Sequence, residues 1–295
     1  MWEKKMKPKD SFLLKYPLTL SNGFIGLGKS SSIKKNIPHF YIKEFNSPNE
    51  EYFQPEIFFH SRELEEKSSS NIVISKEDFP MDETLKKQMH TFLKNESSRK
   101  YIFKDNIDLD VILSTLIKNF PIENTFAYSP YEGKLFFGSS PERLYSRNNR
   151  EIVIDSIAGT AKKGESVELF SEKNKREHAY VTKYIEDVLK EIATDIQTSE
   201  LGIKDAKNLI HLHQTVKGTL KSEITDFDVI SKLHPTPAVL GFPKKEALSF
   251  LNKHEEFDRG FYAGCAGWIE PNKTDLRVSI RSGLVENNTL TLFAG

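Results

Sequence analysis

The stretch that decides the fold is GFYAGCAGWIEPNKTDLRVSIRSGLVENNTLTLFAG, residues 260–295. Apolar and polar residues alternate along it with the period of a half-buried strand. The alternation breaks twice, at Pro271-Asn272-Lys273 and at Glu286-Asn287-Asn288, and such polar breaks are hairpin turns. Leu276, Val278 and Ile280 are expected on one face, with Arg277, Ser279 and Arg281 on the other. Working outward, KLFFGSSPERLYSR (134–147) reads as strand, tight turn, strand, and REIVIDSIAGTAKKG (150–164) as a strand entering a Gly-punctuated loop. The clearest helix spans roughly 171–193, with Val181, Tyr184, Ile185, Val188, Leu189 and Ile192 on one stripe. Helices interleaved with antiparallel hairpins predict an α+β fold.

The first half is less patterned. Residues 1–20 are a lysine-rich lead-in. HFYIKEF, EIFFHS and NIVIS suggest short strands between 21 and 80, and Leu85, Met89, Phe92 and Leu93 suggest a surface helix over 80–98. No composition break marks a domain boundary, so 1–295 reads as a single domain. Lys+Arg and Asp+Glu are 42 each, a balance that argues against a general nucleic-acid binder. No apolar run is long enough to span a bilayer, and the N-terminus lacks the apolar core of a secretory signal. The single cysteine, Cys265, excludes an internal disulfide and fits a reducing compartment. These readings predict a cytoplasmic protein acting without nucleic acid or membrane; a monomer is the expectation, though composition does not decide the oligomeric state.

Several residues stand out. Gly23-Phe-Ile-Gly-Leu-Gly28-Lys29-Ser30 satisfies the P-loop expression, but Pro38 and a strand-like HFYIKEF follow where a long helix is required. An ordinary Gly-rich turn is favoured over a nucleotide site. IVID at 152–155 resembles a Walker-B strand only in the way many short apolar runs do. Glu177 lies four residues before Val181 and so falls on the helix stripe, where a carboxylate needs a partner or a metal unless it stays half solvated near the helix N-terminus. His178 is expected to face away from that stripe. Arg277 and Arg281 either pair with carboxylates or stand on a solvated face. His211 and His213 share one face of LIHLHQTV, where packing or substrate contact is favoured over metal, because no third ligand is near in sequence. Tyr262 and Trp268 read as core aromatics.

From about Arg99 onward the chain resembles the chorismate-utilising enzymes, which include anthranilate, aminodeoxychorismate, salicylate and isochorismate synthases. The blocks that carry the resemblance are FFGSSPERL (136–144), IAGTAKKG (157–164), SEKNKREHAYV (171–181), HLHQTVKGTL (211–220), LHPTPAVLGFPKKEA (233–247), DRGFYAGCAGWIE (258–270), LRVSIRSGLV (276–285) and LFAG (292–295). Residues 1–98 match only in general character. LHPTPAVLGFP, with Ala238, and IAGT, with Ala158, are similar to the isochorismate synthase forms; salicylate synthase is the runner-up within the family.

The resemblance implies two packed, mainly antiparallel sheets with outer helices, and a magnesium-dependent conversion of chorismate to isochorismate feeding menaquinone or siderophore synthesis. Water adds at ring C2, the double bonds shift and the C4 hydroxyl leaves. Glu142 is the implied general acid. An ordinary Glu of pKa ~4.3 is only about 0.2% protonated at pH 7, so the site must raise it. Lys100 is the implied base, with Lys104 as the alternative; an ordinary Lys is deprotonated at about one part in two or three thousand at pH 7. Glu177 is implied as the Mg2+ ligand. Tyr262 and Arg281 are implied at the enolpyruvyl carboxylate, Gly159 and Thr160 as a loop against the substrate, His211 near the ring, and Ala238 and Gly295 in the substrate pocket.

Two departures bear on this. Relatives often carry an acid where this chain has Asn174. The family also continues past the Ala294-Gly295 position with a helix that supplies the other magnesium carboxylate and a substrate lysine. The resemblance therefore leads to the expectation of weak magnesium and chorismate binding. A catalytically inactive chorismate-binding homologue stays open beside the enzyme.

Overall fold

The computed structural model describes residues 18–21, 24–29, 38–48, 50–53, 55–60, 98–119, 125–131, 133–206, 209–255 and 257–293. The strands begin with β1 (Leu18–Ser21), β2 (Phe24–Lys29), β3 (His39–Lys43), β4 (Glu50–Phe53), β5 (Pro55–His60) and β6 (Ser98–Ile102). Next come α1 (Leu109–Asn119), β7 (Thr125–Ser129), β8 (Lys134–Ser139), β9 (Arg143–Asn148) and β10 (Glu151–Lys162). They are followed by α2 (Ser166–Leu169), α3 (Glu172–Ile192), β11 (Ala193–Thr198), β12 (Gly202–Ala206) and β13 (Leu209–Leu220). The last part holds α4 (Asp226–Leu233), α5 (Pro237–Leu240), α6 (Lys244–His254), β14 (Cys265–Ile269), β15 (Lys273–Val278), β16 (Ser282–Glu286) and β17 (Thr289–Phe293).

The fold is α+β, with two antiparallel sheets. The first has the order β5-β2-β1-β7-β8-β16-β17-β6; the second has the order β11-β13-β10-β9-β15-β14-β3-β4, with β12 also paired to β13. The chain forms two compact units, one from segments 1–34, 53–139 and 280–295, the other from 35–52 and 140–279. Of the sequence expectations, NIVIS and the 80–98 helix lie outside the described residues. Among the described residues no helix is long and apolar enough to cross a membrane.

The first unit carries the eight-stranded sheet. Phe126 and Phe136 pack there with ring centroids 5.5 Å apart. The P-loop match is no phosphate cradle: Phe24–Lys29 is β2, hydrogen-bonded antiparallel to β1 and β5. The deciding stretch does form two hairpins, β14–β15 and β16–β17. Its alternation is interrupted between them, however. β15 stops at Val278, and Arg281 takes φ 52° at a corner where its carbonyl accepts from the Ser139 amide at 3.2 Å. Arg277 and Ser279, expected on a polar face, are buried. Asp275 beside Arg277, at 3.8 Å, supplies the countercharge that burial requires.

The second unit is organised by β10 and β13, paired from Glu151/Thr219 to Lys162/Leu209. α3 lies across one face of this pair, burying Val181, Ile185, Leu189 and Ile192. Ser171 caps the helix by accepting from the Asn174 amide. The stripe is rotated from the expected one: His178 is buried and Glu177 exposed. At about 100° per residue, His178 falls about 20° from Ile185, whereas Glu177 falls about 80° from it. Cys265 opens β14 between Lys43 of β3 and Val278 of β15, and burial pushes its thiol up to about 12.

On the other side of β9, α4 is anchored by charge. Asp226 accepts from the Tyr145 hydroxyl at 2.8 Å and from Arg147 Nη2 at 2.7 Å, and Thr225 and Asp228 close a capping box. Asp226→Ala leaves the buried Tyr145 and the largely buried Arg147 short of their acceptor. It should cost about 1.5–3 kcal/mol in urea unfolding, while Asp228→Ala, which removes one half of the cap, should cost about 1 kcal/mol.

Candidate active site

Glu142 sits in the Ser140-Pro141-Glu142 turn between β8 and β9. Its backbone is fixed on both sides. The amide donates to Ser140 Oγ at 3.2 Å, and the carbonyl accepts from Ser140 Oγ at 3.3 Å and from the Val278 amide at 3.1 Å. The residue is 9% exposed. Burial raises its carboxyl to about 7, against an opposing pull from Lys204 and with a smaller push from Asp155. A carboxyl with that affinity is substantially protonated at neutral pH and still able to give its proton up.

The face of β10 and β13 away from α3 is polar. Thr160 Oγ1 lies 3.0 Å from His211 Nδ1. Asp155 accepts from Lys204 Nζ at 2.9 Å and from His213 Nε2 at 3.1 Å. Burial alone would raise the Asp155 carboxyl; the hydrogen bonds from His213 and Lys204 outweigh it and hold the group well below the usual carboxylate range. Gly159 is the extra residue where the β10/β13 register shifts between Ala158 and Thr160. Its φ is 75°, and an added Cβ would stand 3.0 Å from Asn174 Cβ, so two constraints require glycine there. Asn174 itself donates from Nδ2 to the Glu168 carbonyl at 3.0 Å.

Glu177 projects from the first turns of α3 with its side chain 52% exposed, 3.8 Å from Lys173. The stripe argument for a buried, metal-seeking carboxylate therefore does not hold. His178, expected to face away, instead lies beneath the helix, 3.1 Å from Gln214 Oε1. Ala238 is exposed on α5, after the cis His234–Pro235 bond. Tyr262 is buried as expected, with the Arg259 guanidinium 5.6 Å from its ring centre. Trp268 is buried against Phe40 with ring centroids 5.9 Å apart. Among the described residues no group of three or more His, Cys, Asp or Glu is placed to hold a metal ion.

The second unit thus holds Glu142, Gly159, Thr160, Glu177, His211, Ala238 and Tyr262. Lys100, Lys104 and Arg281 belong to the first. Lys100 is exposed on β6, opposite Thr291, and Lys104 is exposed just beyond that strand. Arg281 is exposed at its corner. Gly295 lies outside the described residues. Sequence reasoning missed Lys204, because β12 carries no apolar pattern, and passed over Asp155. The available signal was parity: Asp155 is an even step from Val153 on β10, on the face turned from Ile152 and Ile154.

Because Glu142 is held protonated, its ionisation opposes folding. The unfolded group ionises first, near 4.5, so stability falls as pH rises from there to about 7 and is flat beyond. Glu142→Gln should therefore be more stable than the parent at pH 8 by on the order of 1–3 kcal/mol. The difference should close as pH approaches 4, as read by urea unfolding at the two pH values.

A profile of the family described as chorismate binding enzyme matches residues 42–295. The chain is 36% identical over 170 residues to a chloroplastic isochorismate synthase of Catharanthus roseus, covering 54% of this chain and 29% of that protein. It is 34% identical over 204 residues to isochorismate synthase MenF of Bacillus subtilis, covering 65% of this chain and 43% of the relative. In both cases the match spans less than half the length of the curated relative. In fold it is similar to the menaquinone-specific isochorismate synthase MenF from Escherichia coli, with TM-score 0.75 at 18% identity over 99% of this chain and 86% of that one. On the match over 42–295, the chain belongs to the chorismate binding enzyme family.

Proposed function

We propose that the chain carries an isochorismate synthase centre, which isomerises chorismate by adding water at C2 and expelling the C4 hydroxyl. The observation that supports this best is Glu142, a buried carboxyl raised to about 7 in the SSPE turn. The reaction needs a group that protonates a departing hydroxyl at neutral pH, and an ordinary carboxyl is almost never loaded there. The identities to isochorismate synthases point the same way.

In this reading a base, Lys100 by its motif position, takes a proton from the incoming water as oxygen bonds to C2. Electrons shift through the ring, and Glu142 gives its proton to the C4 oxygen as that bond breaks. Thr160 and His211, hydrogen-bonded to each other, line the ring face, with Gly159 allowing close approach of the backbone. By motif position Ala238 and Gly295 belong to the substrate pocket, and Tyr262 and Arg281 take the enolpyruvyl carboxylate. Mg2+ characteristically takes one or two carboxylates and fills its remaining positions with water and substrate oxygens. The exposed Glu177 fits that habit as a single protein ligand. When bound, the ion would neutralise the ring carboxylate.

The test is incubation of the full chain with chorismate, with and without Mg2+, resolving products by HPLC. Isochorismate is expected, with kcat falling as pH rises through about 7, where Glu142 loses its proton. Glu142→Gln should lower kcat about 10²–10⁴-fold. Salicylate with pyruvate would replace the assignment by salicylate synthase. No product from folded protein would leave a chorismate-binding homologue without this activity.

A further inference from the structure

Asp155, Lys204 and His213 form a cluster that the proposed reaction does not use. They come from three neighbouring strands, β10, β12 and β13. Asp155 Oδ2 receives Lys204 Nζ at 2.9 Å, and Oδ1 receives His213 Nε2 at 3.1 Å. The Asp155 side chain is 9% exposed, Lys204 29% and His213 25%. Both carboxylate oxygens are taken, so the lysine head is tied down on one side. The register that pairs Val153 with Ser146 runs β10 toward the Glu142 end of β9, and Lys204 and Asp155 are the charges that act on the Glu142 carboxyl.

The arginines of β9 and β15 already face carboxylates, Arg147 that of Asp226 at 2.7 Å. Arg143 Nε is 3.3 Å from Asp275 Oδ1, and Arg277 Nε is 3.8 Å from the same oxygen. His211 of β13 is engaged with Thr160. Among the described residues Lys204 is the cation that acts on the Glu142 carboxyl, and Asp155, which accepts from it at 2.9 Å, decides where that cation stands.

We infer that Asp155, with His213 buttressing it, is a positioning residue that holds the Lys204 ammonium at a fixed distance from Glu142, near enough to strengthen the acid and restrained from pairing with it. The logic is electrostatic. Burial without a cation leaves a carboxyl too weak to give up its proton, while a direct ion pair with lysine would leave it permanently ionised and unable to protonate a leaving group. A lysine clamped by a second carboxylate gives the intermediate case. This rests on the reading of Glu142 as general acid, and it predicts shifts of opposite sign. Removing the cation weakens the acid. Removing the clamp both deletes a negative charge and frees the ammonium to approach Glu142.

The experiment follows the Glu142 carboxyl directly, by NMR titration of protein carrying side-chain 13C glutamate, with Glu142→Gln to assign the signal. Lys204→Met should move the midpoint up by about 0.5–1 on the pH scale, and Asp155→Asn should move it down by at least that much. Lys204→Arg, which keeps the charge, should leave it near the parent's. If Lys204→Met does not fold, Lys204→Gln replaces it with the same expected direction. The alkaline limb of kcat should follow the same order. Midpoints that coincide in all folded variants, or move the same way in Lys204→Met and Asp155→Asn, overturn the inference. Midpoints that separate as described in protein that makes no isochorismate would uphold the clamp and overturn the function.

Discussion

The second unit depends on one constraint, the antiparallel ladder between β10 and β13, which holds from Glu151/Thr219 to Lys162/Leu209. Two long strands in fixed register commit every side chain to one of two faces. One face is closed by α3 with Ile152, Ile154, Leu212 and Val216 buried and with Ser156 bonded to Thr182 at 2.8 Å. The other face receives Asp155, His211 and His213. A single added residue, Gly159, resets the alternation just before Thr160 and lets Thr160 meet His211 across the ladder. Slippage of one position would exchange the greasy face for the charged one, so the register is enforced by burial rather than by the hydrogen bonds alone.

On this frame two carboxyls that differ by one methylene are driven in opposite directions. Asp155 is shielded from water but receives two charged or polar donors, so it stays ionised. Glu142 is shielded without a direct cationic partner, so it keeps a substantial protonated fraction near neutrality. Environment, not residue type, sets the division of labour between them. Such divergence of neighbouring acids is a pattern associated with acid–base chemistry.

Much of this architecture was legible in the sequence. The 171–193 helix is present as Glu172–Ile192, the terminal hairpins are present, HFYIKEF contains β3, and EIFFHS overlaps β5. The alternation that marked Arg277 as polar did not reveal that Asp275 would accompany it into the interior, because ion pairing across a bulge is not a periodic signal. The helix stripe expected from the sequence lies one position off the buried one, because Val188 and Tyr184 are apolar but only half-buried and tilt it toward Glu177. Glu142 could be found by its motif, yet its raised affinity comes from strands distant in sequence. Lys204 carried no local mark at all, because its meaning lies entirely in who stands across from it.

The chain has a single thiol, and the structure puts it in the interior of the second sheet, at the start of β14 with β3 and β15 on either side. A sulfur that is both enclosed and held as the neutral thiol is invisible to alkylating reagents until the strands around it part. The labelling rate of Cys265 in native buffer therefore counts openings of that sheet, one molecule at a time. The protein comes supplied with its own clock for local unfolding, without an introduced label.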